Sequence, residues 1–147
     1  MSISGTANQD KIMAPGDKFY WTLDDKTFEA DNAFFRAQLG AIKTWDISGS
    51  SGRIMDGDYF QFFISIPYEE VLIEKTYILW ESEGFRMIHT HSVPPELNPV
   101  ATPAYDAELT IRLDPAKGIA EGDFNAKFLI REGYRLEPKG AFKVTKV

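Results

Sequence analysis

The sequence contains no cysteine. Disulfide staples, thiolate metal sites and cysteine nucleophiles are therefore excluded, while the compartment is left open. Histidine is nearly absent too: His89 and His91 are the only two, so any imidazole chemistry must run through this one pair. Long apolar runs are missing, and nothing approaches the roughly 20 residues of a membrane-spanning helix, so no membrane span is expected. The opening Met1-Ser2-Ile3-Ser4-Gly5 lacks the basic start and apolar stretch of a signal peptide. The expectation is a cytoplasmic protein, or one exported without a visible signal peptide. Positive charge is in deficit, with 16 Lys and Arg against 22 Asp and Glu for a net charge of −6. Nucleic acid and anionic membranes require a basic patch, and neither is an expected partner.

Aromatic residues, by contrast, are abundant. They make up 14% of the 147 residues, with eleven Phe and three Trp spread along the whole length. A disordered chain lacks that content, and this length suits one domain able to bury a continuous core.

The C-terminal third carries the clearest pattern. Tyr105, Ala107, Leu109, Ile111 and Leu113 alternate with Asp106, Glu108, Thr110, Arg112 and Asp114. This is the period of a β-strand with one buried and one wet face. After the turn Asp114 to Gly118, a second run places Phe124, Ala126, Phe128 and Ile130 inward, and a third follows with Gly140, Phe142 and Val144. The tripeptide Gly-x-Phe opens a strand twice, at Gly122 and Gly140.

Earlier segments repeat the theme. Lys18 to Asp24 alternates Phe19, Trp21 and Leu23 with Tyr20 and Thr22, and Thr27 to Ala30 returns after a turn. The stretch from Asp31 to Ile42 fits a short helix or a strand, and Gly40 favours the strand. Lys43 to Ser48 reads as strand, Gly49-Ser50-Ser51-Gly52 as a flexible loop, and Tyr59 to Ile66 as a central strand facing protein on both sides. Tyr68 to Leu72 suggests one helical turn. Thr76 to Trp80 and Phe85 to His91 are further strands, and four prolines between Pro94 and Pro103 suggest a rigid exposed connection. The expected fold is all-β: a single antiparallel β-sandwich, immunoglobulin-like or jelly-roll-like, of roughly 8 to 10 strands at residues 18–147. A flexible N-terminal arm is expected over 1–17.

The hairpin from Phe19 to Ala30, the Thr76 to Leu79 strand and the closing Gly-x-Phe strands together resemble a loose class of small uncharacterised bacterial β-sandwich proteins, many of them exported lipoproteins. The chain departs from that pattern at Asp25, where the hairpin glycine would stand, and at Glu74-Lys75. The resemblance implies fold alone, since the class has no assigned catalytic residues.

The sharpest chemical signal is His89-Thr90-His91. Residues two apart on a strand share a face, so both imidazoles could meet one divalent metal, with Glu96 as a third ligand. The run Gly84-x4-His89-x-His91-x4-Glu96 is similar to the first metal motif of cupin barrels, departing from it at Pro94-Pro95. The competing reading is an exposed polar strand face with Arg86, Ile88 and Thr90 opposite. Carboxylates such as Asp24, Glu69 and Glu83 are numerous, but most sit in turns where acidic residues cap and solubilise. Tyr20, Phe34, Phe63, Tyr77 and Trp80 cannot all lie inward with their neighbours, and those left outside could form a platform for a protein or a sugar. Tyr20, Phe63, Tyr77 and Trp80 are the ligand-binding candidates. With no catalytic set in view, the leading expectation is a non-enzymatic binding or protein-interaction module needing no cofactor. The alternatives are a small metal-dependent cupin-like enzyme using His89 and His91, or a carbohydrate-binding module. Partner identity and oligomeric state are not specified by the sequence.

Overall fold

The computed structural model describes residues 13–131 and 133–147. Most of the expected arm over 1–17 lies outside them; of the remainder, Met13 packs against the core and Asp17 accepts hydrogen bonds from Thr145 N and Oγ1. The described residues form twelve strands: β1 (Lys18–Leu23), β2 (Lys26–Glu29), β3 (Asn32–Leu39), β4 (Lys43–Ser51), β5 (Phe60–Pro67), β6 (Ile73–Ile78), β7 (Arg86–His91), β8 (Val100–Pro103), β9 (Asp106–Asp114), β10 (Ile119–Leu129), β11 (Arg135–Leu136) and β12 (Lys139–Thr145). They build two antiparallel sheets packed face to face, a β-sandwich. One sheet runs β2-β1-β12-β10-β9-β6 with β11 beside β10, and the other runs β3-β4-β5-β7-β8.

The alternating residues of β9, β10 and β12 point where their pattern predicts. Leu109, Ile111, Leu113, Phe124, Phe128, Phe142 and Val144 are buried, and Glu108, Arg112, Asn125 and Lys127 are exposed. The repeated Gly-x-Phe acquires a physical meaning from the register: Gly122 lies opposite Phe142, and Phe124 lies opposite Gly140. A Cβ on residue 140 would overlap the Phe124 ring, and one on residue 122 would overlap the Thr110 carbonyl oxygen and touch the Phe142 ring at 3.2 Å. Each glycine thus makes room for the phenylalanine of the other copy.

Four readings of the sequence need correction. Residues 49–51 are not a loop but the end of β4, with Ser48 and Ser50 buried. Glycine is required at 49 because Phe19 of the opposite sheet presses on its backbone, so that a Cβ would fall inside the ring. Tyr68 to Leu72 forms no helical turn. Its backbone is tied sideways to β4, Tyr68 N donating to Lys43 O and Trp45 Nε1 donating to Glu69 O. The proline-rich connection ends in a real strand, since β8 pairs with β7 from His91↔Val100 to Ile88↔Pro103. As the last residue of an edge strand, Pro103 costs no ladder bond. Finally, β6 stops at Ile78, two residues before Trp80.

The Gly140–Phe124 contact makes a quantitative prediction. Gly140→Ala should destabilise by about 1–3 kcal/mol through overpacking, and Phe124→Ala by about 3–5 kcal/mol. In the Phe124→Ala background the ring overlap is gone but the Tyr20 carbonyl oxygen, 2.7 Å from the added methyl, remains. The cost should therefore shrink only in part in a urea-unfolding double-mutant cycle. Equal costs in both backgrounds would contradict the packing described.

Candidate functional site

Where β6 ends, the chain leaves the edge of one sheet and crosses to β7 in the other. The crossing is a hydrogen-bonded turn. Ile78 O accepts from Glu81 N at 3.0 Å and from Ser82 N at 2.8 Å, while Ser82 Oγ accepts from Ile78 N at 3.0 Å. The third residue of the Ile78–Glu81 turn is Trp80, with φ of 75°. That position normally belongs to Gly or Asn, and a bulky side chain there is strained by about 1–3 kcal/mol. Trp80 is also 81% exposed, unlike Trp21 and Trp45, which are buried. Its indole is nevertheless held, because Nε1 donates to Tyr105 O at 2.8 Å.

Beside it opens a cleft of about 530 Å³ whose apolar walls include Leu79, Phe85, Met87, Ile88 and Pro103. Glu81, Glu83 and Arg86 supply its charged groups. This volume is typical of a small-ligand site. A second cleft, of about 480 Å³, lies on the outer face of the five-stranded sheet between Ile42, Lys43, Asp46 and Arg86. Asp46 is only 6% exposed, and its Oδ1 accepts from Thr44 Oγ1 at 2.8 Å and Ser65 Oγ at 3.0 Å. Two hydroxyls thus offset the cost of burying the carboxylate. Gly84 and Arg86 line both clefts.

The aromatic candidates do not form one platform. Tyr20 is 39% exposed on the outside of the first sheet, and Phe63 is half-buried on the outside of the second, in register with Ser48 and Ile88. Tyr77 corrects the outward expectation: it is 1% exposed, facing the core opposite Leu109, with its ring centroid 5.8 Å from that of Phe85. Burial, and to a lesser degree the Glu69 carboxylate, push its phenol up to about 12. Among these four, Trp80 alone lines a cleft described above.

His89 and His91 share a face as their spacing requires, and their rings stack at 5.1 Å with planes 5° apart. The face is the interior, not the exposed one. Met87, His89 and His91 point into the sandwich, and Arg86, Ile88 and Thr90 point out. His89 is 1% exposed among Phe60, Phe62 and Phe128, with Nδ1 2.9 Å from Gln61 O. A carbonyl only accepts, so Nδ1 carries the proton. Glu96 is exposed in the turn that precedes β8, and no group of three or more metal-ligating side chains occurs among the described residues. The expected His89–His91–Glu96 set is therefore not assembled.

Sequence reasoning missed Asp46 and Arg86. Asp46 alternates as an outward residue, whereas Arg86 falls on the side opposite the histidines, which the exposed-histidine reading turns inward. Nothing in the pattern says that Thr44 and Ser65 would bury a carboxylate, or that Arg86 would point outward and line two clefts. The signal available was Trp80 at a strand end, directly before the Glu81 to Gly84 turn.

Burial pushes the His89 imidazole down to about 4 from its ordinary 6.5, with the Gln61 carbonyl opposing and His91 reinforcing that shift. Between those values the unfolded chain binds more proton than the folded one. Stability from the neutral ring is therefore complete above pH 6.5 and is lost as pH falls toward 4, by about 3 kcal/mol in all. Urea unfolding of wild type and His89→Phe should show their stability difference moving by this amount across that window. A pH-independent difference would mean His89 is not held neutral.

No protein-family model matches the chain, and comparison with curated proteins and with solved structures finds no significant match.

Proposed function

We propose that the chain is a non-enzymatic binding module whose ligand site is the cleft beside Trp80. One observation carries this reading. A tryptophan occupies a left-handed turn position that suits glycine, lies 81% exposed, and is fixed by an indole hydrogen bond at the mouth of an apolar cleft of about 530 Å³. Side chains that cost stability without burying surface are characteristic of functional sites. A fixed aromatic plate also loses little entropy when a ligand packs on it. The metal-enzyme alternative gains no support from two core histidines in an aromatic pocket with Glu96 apart from them.

Trp80→Gly tests the reading. Glycine relieves the φ of 75° while forfeiting one exposed hydrogen bond, so the variant should melt within about 3 °C of wild type, or above it. In a ¹⁵N-labelled sample, neutral saccharides and proline-rich peptides should be screened against the Trp80 indole N–H resonance. The expected result is a ligand whose shifts cluster on Leu79 to Ile88 and vanish in Trp80→Gly. A large drop in melting temperature for Trp80→Gly would make Trp80 a structural residue and sink the proposal.

A further inference from the structure

We infer that the Trp80 cleft and the cleft over Asp46 are one groove, and that its ligand is a neutral linear oligosaccharide. This rests on the Trp80 reading above and adds the ligand class. Continuity comes first: Gly84 and Arg86 line both clefts. At the junction Gly84 has φ of 82°, and the Pro67 ring takes the space that a Cβ there would fill, 2.8 Å from the Pro67 Cγ.

The chemistry changes along the groove in a way that suits sugars. At one end the exposed indole offers a flat apolar face, the complement of the C–H face of a pyranose ring. At the other, Asp46 is a buried acceptor immobilised by Thr44 and Ser65, and Arg86 follows on the next strand in register with Ser65. A fixed acceptor near a multidentate donor matches neighbouring hydroxyls, each of which donates and accepts. Charge narrows the choice further. Glu81 and Glu83 stand at the Trp80 end and Lys43 at the far end, with Asp46 and Arg86 between. A polyanion or polycation would meet repulsion in part of such a groove, whereas a neutral ligand meets none. A peptide adding to the sheet would need the β8 edge, which reaches the cleft as Pro103 and so lacks an N–H there.

The test uses cellohexaose, maltohexaose and N-acetylchitohexaose with their disaccharides, read by calorimetry and amide shifts on the full chain. Linking two subsites makes the second contact intramolecular, so at least one hexasaccharide should bind about tenfold or more tightly than its disaccharide. Its shifts should extend from Trp80 to Lys43, Thr44 and Asp46. Asp46→Asn should abolish that length dependence; if it unfolds the chain, Lys43→Ala with Gln38→Ala, on the rim of the same cleft, serves instead. Equal affinities for both lengths, with shifts confined to Leu79 to Ile88, would overturn the groove and leave the Trp80 site standing. Shifts at Trp80 from a proline-rich peptide but from no saccharide would overturn the ligand class. If no probe moves Trp80, the inference and the reading beneath it fail together.

Discussion

Phe19 is pressed against the backbone of Gly49 across the interface between the two sheets, and much of the core is organised around that contact. The ring stacks on Phe142 at 5.7 Å and meets Phe124 at 6.0 Å and Trp21 at 6.2 Å. Trp21 and Phe124 in turn reach Phe62 in the opposite sheet, at 5.3 and 6.0 Å. Such a cluster holds only if the backbone yields where a ring arrives, since packed interiors leave no spare volume for a methyl group. It yields at Gly49 under Phe19 and at Gly140 under Phe124. Gly49 and Gly140 thus mark not turns but places where aromatic rings cross.

Close packing of two sheets also forces the chain to change sheets at their edges. The step from β6 to β7 is one such change, and its shortness explains the strain at Trp80. Ile78 O must accept from both Glu81 and Ser82 to reverse the chain before Phe85 enters the core. The residue at the apex takes a positive φ whatever its identity. Glycine would fill that position at less cost, so the tryptophan is best accounted for by what its exposed face can contact. The proposed function therefore lives in a crossing loop held by rigid elements on both sides, the usual place for binding residues on a sandwich.

The fold was legible because alternation is a local property. Ala107 to Leu113 and Phe124 to Ile130 announce their faces without reference to any partner. What lay beyond reach was non-local. Gly49-Ser50-Ser51 looks like a loop because its strand character depends on Phe19, thirty residues earlier and in the other sheet. The histidines show a subtler limit. Period two establishes that His89 and His91 share a face but not which face, and the apolar residues of β7 are divided, Met87 on one side and Ile88 on the other. Tertiary surroundings decided the phase, putting His89 among phenylalanines whose burial of the ring opposes its charged form. For the candidate site, Trp80 was visible as a surplus aromatic, whereas the burial of Asp46 depends on Ser65 from the neighbouring strand.

The two sides of β5 show how one strand serves both the core and the surface. The Gln61 carbonyl accepts the Nδ1 proton of His89 at 2.9 Å, while the Gln61 side chain donates to Ser48 Oγ at 2.7 Å. Neutral His89 is thus hydrogen-bonded to the same residue that covers one of the buried serines on the outer face. Two residues further along that face in β5, Ser65 holds Asp46. The outer face is consequently not a loose polar surface. Its small hydroxyls are tied down in sequence from Ser48 to Asp46, and a carboxylate fixed in this way loses little freedom when a ligand arrives. Rigidity at Asp46 and rigidity at Trp80 have different origins, a hydroxyl pair and a strained turn. Both leave a polar or aromatic group fixed before any ligand is present, and that is the condition under which weak individual contacts sum to useful affinity.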